Sequence, residues 1–132
     1  PIGACLMGEK VQYVLGPGDH GSTFGGNPVV CAGSVEILNH MDDAFLAEVA
    51  KKGAYLREEL QKMPHVTSVA GMGMMLGIEL DTDVKPIVNT LIENGLLVLT
   101  AKHKMRLLPP LNITQEELEQ GLTILKNTLS KI

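Results

Sequence analysis

Val66-Thr-Ser-Val-Ala-Gly-Met-Gly-Met-Met-Leu-Gly-Ile-Glu-Leu80 is the stretch that decides how this chain folds. Val66 to Val69 and Met74 to Leu80 read as two strands, separated by the break Gly71-Met72-Gly73. Downstream, Asp83 starts a short helix bearing Val84, Ile87, Val88 and Leu91, and Gly95 stands where a C-terminal cap belongs. Leu96 to Leu99 and Met105 to Leu108 are two further strand candidates, the second stopped by Pro109-Pro110. Thr114-Gln-Glu-Glu117 has the form of a capping box, and Leu118, Leu122, Leu125, Leu129 and Ile132 then step by 4, 3, 4 and 3 along a last helix. Residues 66–132 therefore read β-β-α-β-β-α. The class is α/β, in the form of a small α+β domain whose helices cover one face of a sheet.

Upstream of that stretch the pattern is helical, then irregular. Leu46, Val49, Gly53, Leu56, Leu60 and Met63 step by 3, 4, 3, 4 and 3, one buried stripe on a helix capped at Asp42 and closed by Pro64. Gly53 in that stripe predicts close approach of a neighbouring element. Asn27-Pro28 starts an earlier helix running to about residue 40, with Val30, Ser34, Ile37, Leu38 and Met41 at helical spacing. The first 26 residues are Gly-rich, with an extended patch expected at Val11 to Leu15. The chain opens on Pro1-Ile2-Gly3-Ala4 without an initiator Met, and the part before residue 40 reads as the edge of something larger.

Composition excludes several functions. The 132 residues carry 11 Lys plus Arg against 15 Asp plus Glu, a formal charge of −4, which argues against nucleic-acid and anionic-membrane partners. A 45% hydrophobic share is too high for intrinsic disorder. No apolar run has transmembrane length. Aromatic residues reach only 3%, so the core must be aliphatic and single-stranded nucleic acid finds no stacking platform. Cys5 and Cys31 are too few for a disulfide framework and suit a reducing cytoplasm.

Two places carry chemistry. In Gly16-Pro-Gly-Asp-His-Gly-Ser-Thr-Phe-Gly-Gly-Asn27, glycines allow a backbone nest, Ser22 and Thr23 add hydroxyls, and a helix N-terminus follows. A phosphate-binding loop and a plain tight turn both fit those residues. Asp19 and His20 read as loop hydrogen bonding in preference to an acid–base pair. The other place is Arg106, one of only two arginines, inside the apolar run Met-Arg-Leu-Leu-Pro-Pro-Leu. A guanidinium there needs an anion, either a structural carboxylate or a gripped ligand. Arg57, on an amphipathic helix beside Glu58, Glu59 and Lys62, reads as surface. His40, His65 and His103 lack ligand spacing, so no metal site is expected. The Met72, Met74 and Met75 cluster reads as core filling, and neither Cys5 nor Cys31 has an adjacent base.

Gly18-Asp-His-Gly-Ser-Thr-Phe-Gly-Gly-Asn-Pro28 resembles the signature of the class III, ornithine-type aminotransferases, which use pyridoxal 5′-phosphate on a fold type I scaffold. Pro1-Ile-Gly-Ala4, Gly73-Met-Met-Leu-Gly-Ile-Glu-Leu80 and Arg106-Leu-Leu-Pro-Pro-Leu111 extend the resemblance along the chain, most closely to the enzymes acting on acetylornithine in arginine biosynthesis. The resemblance implies that Ser22 and Thr23 bind the cofactor phosphate, across a homodimer interface, and that Arg106 binds the carboxylate shared by the amino-acid donor and 2-oxoglutarate. It implies no catalytic residue here, because the Schiff-base lysine would precede residue 1 and Lys10 is not at its position. Ala70 stands where the family often has an arginine before the Gly-x-Gly turn.

The expectation is therefore a C-terminal fragment of a cytoplasmic enzyme, inactive alone and prone to self-association. Residues 1–40 would be the tail of the large cofactor domain and 41–132 the small domain. Two rivals use the same residues differently. One is a stand-alone binding or regulatory module holding a carboxylate on Arg106; the other is a structural interaction domain in which Arg106 pairs internally.

Overall fold

The computed structural model describes residues 2–132, so Pro1 of the opening segment lies outside the described residues. The chain divides into two compact units, one ending at Asp43 and the other running from Ala44 to Ile132. In the first, Asn27 caps α1 (Pro28–Asn39): its side-chain oxygen accepts from the Val29 and Val30 amides at 3.0 and 3.3 Å. Pro28 costs that first turn nothing, since its missing N–H would have had no partner within the helix. No residue of α1 is buried, and Ile37 and Leu38 of its apolar stripe stand exposed. The patch at Val11 to Leu15 is not extended. Val11 donates to the Gly8 carbonyl at 3.0 Å and Val14 to the Val11 carbonyl at 3.1 Å, which coils the segment into successive turns. Local bonds supply there what a neighbouring strand would have supplied to an extended backbone.

The second unit is built on α2 (Asp43–Gln61), β1 (Val66–Met72), β2 (Met75–Leu80), α3 (Val84–Glu93), β3 (Leu99–Ala101), β4 (Lys104–Leu107) and α4 (Gln115–Leu129). The four strands form one antiparallel sheet in the order β1-β2-β4-β3. β1 runs three residues past the expected stop, because Gly71 stays in the ladder opposite Leu76 and the turn narrows to Gly73-Met74. Gly71 has φ +135°, and a Cβ there would lie 2.0 Å from the Met75 carbonyl oxygen. β3 begins where the expected strand at Leu96 to Leu99 ends. The displacement comes from the end of α3, where Leu96 donates to the Leu91 carbonyl at 2.8 Å and Gly95, at φ +89°, to that of Ile92 at 3.0 Å. This Schellman pair commits residues 95–96 to closing the helix.

Strand alternation splits the sheet into two faces. Leu76, Ile78 and Leu80 of β2 and Met105 of β4 point into the core, where they meet Leu56 and Leu60 of α2, Ile87 and Leu91 of α3, and Leu118, Leu125 and Leu129 of α4. Each such side chain contributes roughly 1.5–3 kcal/mol by leaving water. The stripes on α2 and α4 are shorter than their spacing suggests: Leu46 and Ile132 are exposed at the outer ends.

Gly53 explains how α2 lies so near the sheet. A Cβ built on it would stand 2.7 Å from both the carbonyl carbon and the oxygen of Gly73. Arg57, one turn further on, is not a surface residue. Its guanidinium is half-buried and donates to the Val69 carbonyl and the Gly71 carbonyl, each at 2.8 Å, tying α2 to β1. Glu58 and Glu59 leave it free to do so, because both pair with Lys62.

Gly53→Ala should lower the stability of the chain by about 1–3 kcal/mol in urea unfolding, although alanine is normally the better helix former, because the methyl group must push backbone aside. Unchanged or raised stability would refute the close-contact account. Thr114 and Glu117 form the expected capping box at α4, with the Thr114 amide donating to Glu117 at 2.8 Å and the Glu117 amide donating back to the hydroxyl at 3.2 Å. The backbone and then the side-chain hydrogen bond of Thr114 hold the Glu117 carboxyl below its ordinary 4.5. A depressed carboxyl stabilises the fold above its unfolded value and loses that contribution as pH falls through its folded value. Glu117→Gln should therefore flatten the stability–pH curve below about pH 4.5 and leave its shape above that unchanged.

Candidate functional site

The outward face of the sheet carries the charge. Gly77 of β2 and Leu99 of β3 stand opposite Arg106 of β4, all on the side away from the core. Arg106 is half-buried and borders a concavity of about 540 Å³ with Ala70, Met72, Met75, Gly77, Ala101 and Lys104. Its Nε is buried without a hydrogen-bond partner, and among the described residues Arg106 makes no ion pair. No carboxylate among the described residues therefore serves as its structural partner. The guanidinium sits among methionines and alanines with an orphaned N–H, and an unmet buried donor carries its full desolvation cost.

The acid on that face is taken. Glu79 accepts from the Ser68 hydroxyl at 2.8 Å and pairs with the Lys104 ammonium at 3.1 Å through the same oxygen, while its other oxygen faces His103 Nε2 at 3.6 Å. The Ser68 hydrogen bond, followed by that of Lys104, holds the Glu79 carboxyl below the ordinary glutamate range. Neither Glu79 nor Lys104 stood out in the sequence. The signal that would have found them is the alternation itself: Lys104 and Arg106 are two apart on one strand, so they share a face.

The glycine-rich loop belongs to the unit that ends at Asp43. Gly18 and Gly26 adopt φ +93° and +71°, conformations that a side chain would strain. Asp19 closes the loop's first turn by accepting from the Gly16 amide at 2.7 Å, so it acts on the loop itself and not on His20. Ser22 accepts from the Gly25 amide through its carbonyl at 3.2 Å, whereas the hydroxyls and amides of Ser22 and Thr23 have no partner among the described residues. Asn27 already occupies the first amides of α1. Among the described residues the Ser22 and Thr23 hydroxyls and several loop amides, those of Gly21, Phe24 and Gly26 included, thus have no protein partner, whereas the first amides of α1 are occupied.

Other candidates stay outside any site. His65 bonds Asp81 at 2.9 Å and helps close the β1–β2 pair, and His40 bonds Glu36 on its own helix at 3.2 Å. Met74 is buried as core filling, but Met72 and Met75 project from the outward face. Among the described residues no three His, Cys, Asp or Glu side chains cluster as metal ligands, and no helix is long and apolar enough to cross a membrane. A separate cavity of about 280 Å³ between Leu56, Leu97, Pro109, Ile113 and Leu122 is lined, among the described residues, by apolar groups and the carboxyl-bearing Glu117.

Comparison with known proteins places both halves of the chain in one lineage. The model of the family "Aminotransferase class-III" matches residues 1–129. The acetylornithine aminotransferase of Haemophilus ducreyi is 48% identical over 134 residues, covering 100% of this chain and 34% of that protein. The mitochondrial acetylornithine aminotransferase of Alnus glutinosa is 44% identical, covering 98% of this chain and 30% of its own length. Among solved structures, acetylornithine aminotransferase from Elizabethkingia anophelis superposes with a TM-score of 0.72 at 35% identity, over 90% of this chain and 34% of that one. Ornithine aminotransferase from Toxoplasma gondii gives 0.74 at 38% identity, over 93% and 31%. The chain thus spans about a third of the length of the curated relatives it matches. On the family match across nearly its whole length, the chain belongs to the class III aminotransferases.

Proposed function

We propose that this chain is the C-terminal part of an enzyme that moves the amino group of N-acetylornithine, or a similar ω-amine, to 2-oxoglutarate in arginine biosynthesis. The observation that carries the reading is half-buried Arg106, with an orphaned Nε and no ion-pair partner among the described residues. Its fork is suited to a carboxylate, which the amino-acid donor and the keto-acid acceptor both have. The acetylornithine aminotransferases among its relatives support the substrate assignment.

Ser22 and Thr23 fit a phosphate. Each offers a hydroxyl and an amide with no other partner among the described residues, on a loop whose positive-φ glycines keep the backbone open. The family's cofactor is pyridoxal 5′-phosphate, and the Toxoplasma gondii ornithine aminotransferase carries it, partially occupied, at its active site. When bound, it supplies the electron sink that lets an amino group leave one carbon skeleton and join another. The work left to this chain is positional. Ser22 and Thr23 anchor the phosphate end from a neighbouring subunit of a homodimer, and Arg106 fixes the substrate carboxylate. In this reading residues 1–40 are the tail of the large cofactor domain, 41–132 are the small domain, and the enzyme works in the cytoplasm.

In the complete enzyme containing this chain, Arg106→Ala should raise KM for 2-oxoglutarate about 10- to 100-fold, the loss of a charge-assisted bidentate contact, with Arg106→Lys recovering part of it. Unchanged KM in steady-state kinetics would remove Arg106 from the site. The cofactor-bearing lysine of the family is assigned to sequence before residue 1. The 132-residue chain, supplied with pyridoxal 5′-phosphate, N-acetylornithine and 2-oxoglutarate, should therefore form no glutamate above the cofactor-only blank. Protein-dependent glutamate formation would overturn that assignment.

A further inference from the structure

Arg106 has an acidic neighbour that it does not use. β2 and β4 set Gly77 against Arg106 and Ile78 against Met105. The next step of that register brings Glu79 opposite Lys104, one diagonal from Arg106 on the same face. Diagonal neighbours on antiparallel strands lie about 7–8 Å apart, within reach of long side chains. A glutamate and an arginine so placed have every electrostatic reason to pair. Instead Glu79 is held from both sides: Ser68, its register partner on β1, donates to Oε2 at 2.8 Å, and Lys104 on β4 pairs with the same oxygen at 3.1 Å. His103 faces Oε1 at 3.6 Å.

We infer that Lys104 and Ser68 are positioning residues that withhold Glu79 from Arg106 and so keep the guanidinium open to an incoming carboxylate. The inference rests on the reading of Arg106 as a carboxylate clamp. Its physical basis is competition. One guanidinium fork takes one carboxylate well, and a glutamate attached to the neighbouring strand has a large local concentration advantage over a free ligand. With Lys104 replaced by a neutral side chain, Arg106 becomes the cation within reach of Glu79, and the internal pair must be broken each time a ligand binds. The Lys104–Glu79 pair is itself partly exposed, so its direct effect on stability is small. What it controls is where Glu79 points.

The test uses the 132-residue chain with glutarate as the probe dicarboxylate, binding followed by calorimetry and the Arg106 Nε–H resonance by nitrogen-15 NMR. Lys104→Met should weaken glutarate binding about fivefold with little change in Tm, and should shift the Nε–H resonance before any ligand is added. Lys104→Arg should bind as the parent does. Adding Glu79→Gln to Lys104→Met should restore both the affinity and the resonance, a rescue that a merely structural lysine would not allow. Ser68→Ala gives a second, smaller perturbation in the same direction if Lys104→Met folds poorly. Parent-like affinity in Lys104→Met, or no rescue in the double variant, would overturn the inference. If the parent binds no glutarate, the clamp reading fails for this chain. The Nε–H resonance then decides the inference alone: a shift in Lys104→Met that Glu79→Gln reverses supports it, and an unmoved resonance overturns it.

Discussion

The second unit depends on α2 lying against the β1–β2 turn with no side chain between them. Gly53 makes room for the Gly73 backbone, and Arg57 fastens the approach by donating to two carbonyls of β1. β1 is an edge strand, with spare backbone acceptors that a charged donor satisfies well. Once the helix is seated there, its Leu56 and Leu60 select which face of the sheet becomes the core. Everything on the alternate positions is thereby turned outward, Glu79, Lys104 and Arg106 included.

That outward face is where the chain departs from what stability alone would favour. An arginine with a buried, unpartnered N–H lowers stability, and a glutamate on the adjacent strand could have relieved it. Ser68 and Lys104 take up that glutamate instead. That buried N–H left unmet is the feature on which the proposed carboxylate contact rests. The loop at Ser22 and Thr23 differs, because both residues are exposed to water. Its glycines and Asp19 shape the turns, Asn27 caps the helix, and among the described residues the Ser22 and Thr23 hydroxyls and amides have no protein partner.

Much of this was legible from residue order. Short-range signals survived folding nearly intact: Asn27-Pro28, Asp83 and the Thr114–Glu117 box start their helices as their chemistry requires, and Gly95 closes α3. These are contacts between residues a few positions apart, and tertiary packing has little power to move them. The expectations that needed revision all concerned longer range. Val11 to Leu15 looked extended but had no strand beside it, Leu96 was drawn into a helix cap, and Gly71 remained paired because the turn beyond it is tighter than its glycines suggest. Arg57 read as surface because neighbouring acids on its helix seemed able to hold it; its true partners are carbonyls 12 and 14 residues away.

Sequence by itself determined the helix boundaries, the aliphatic core, the β-β-α-β-β-α order of residues 66–132 and the family, since each is written in local spacing or in an uninterrupted motif. Tertiary structure alone decided which partner each charged group on the outward face of the sheet receives. Whether Arg106 meets Glu79 depends on strand register, on Ser68 from β1 and on Lys104 from β4, three segments that no single periodicity connects. Charge pairing is set by distance in space, and distance in space is what a linear sequence leaves open until the sheet has closed.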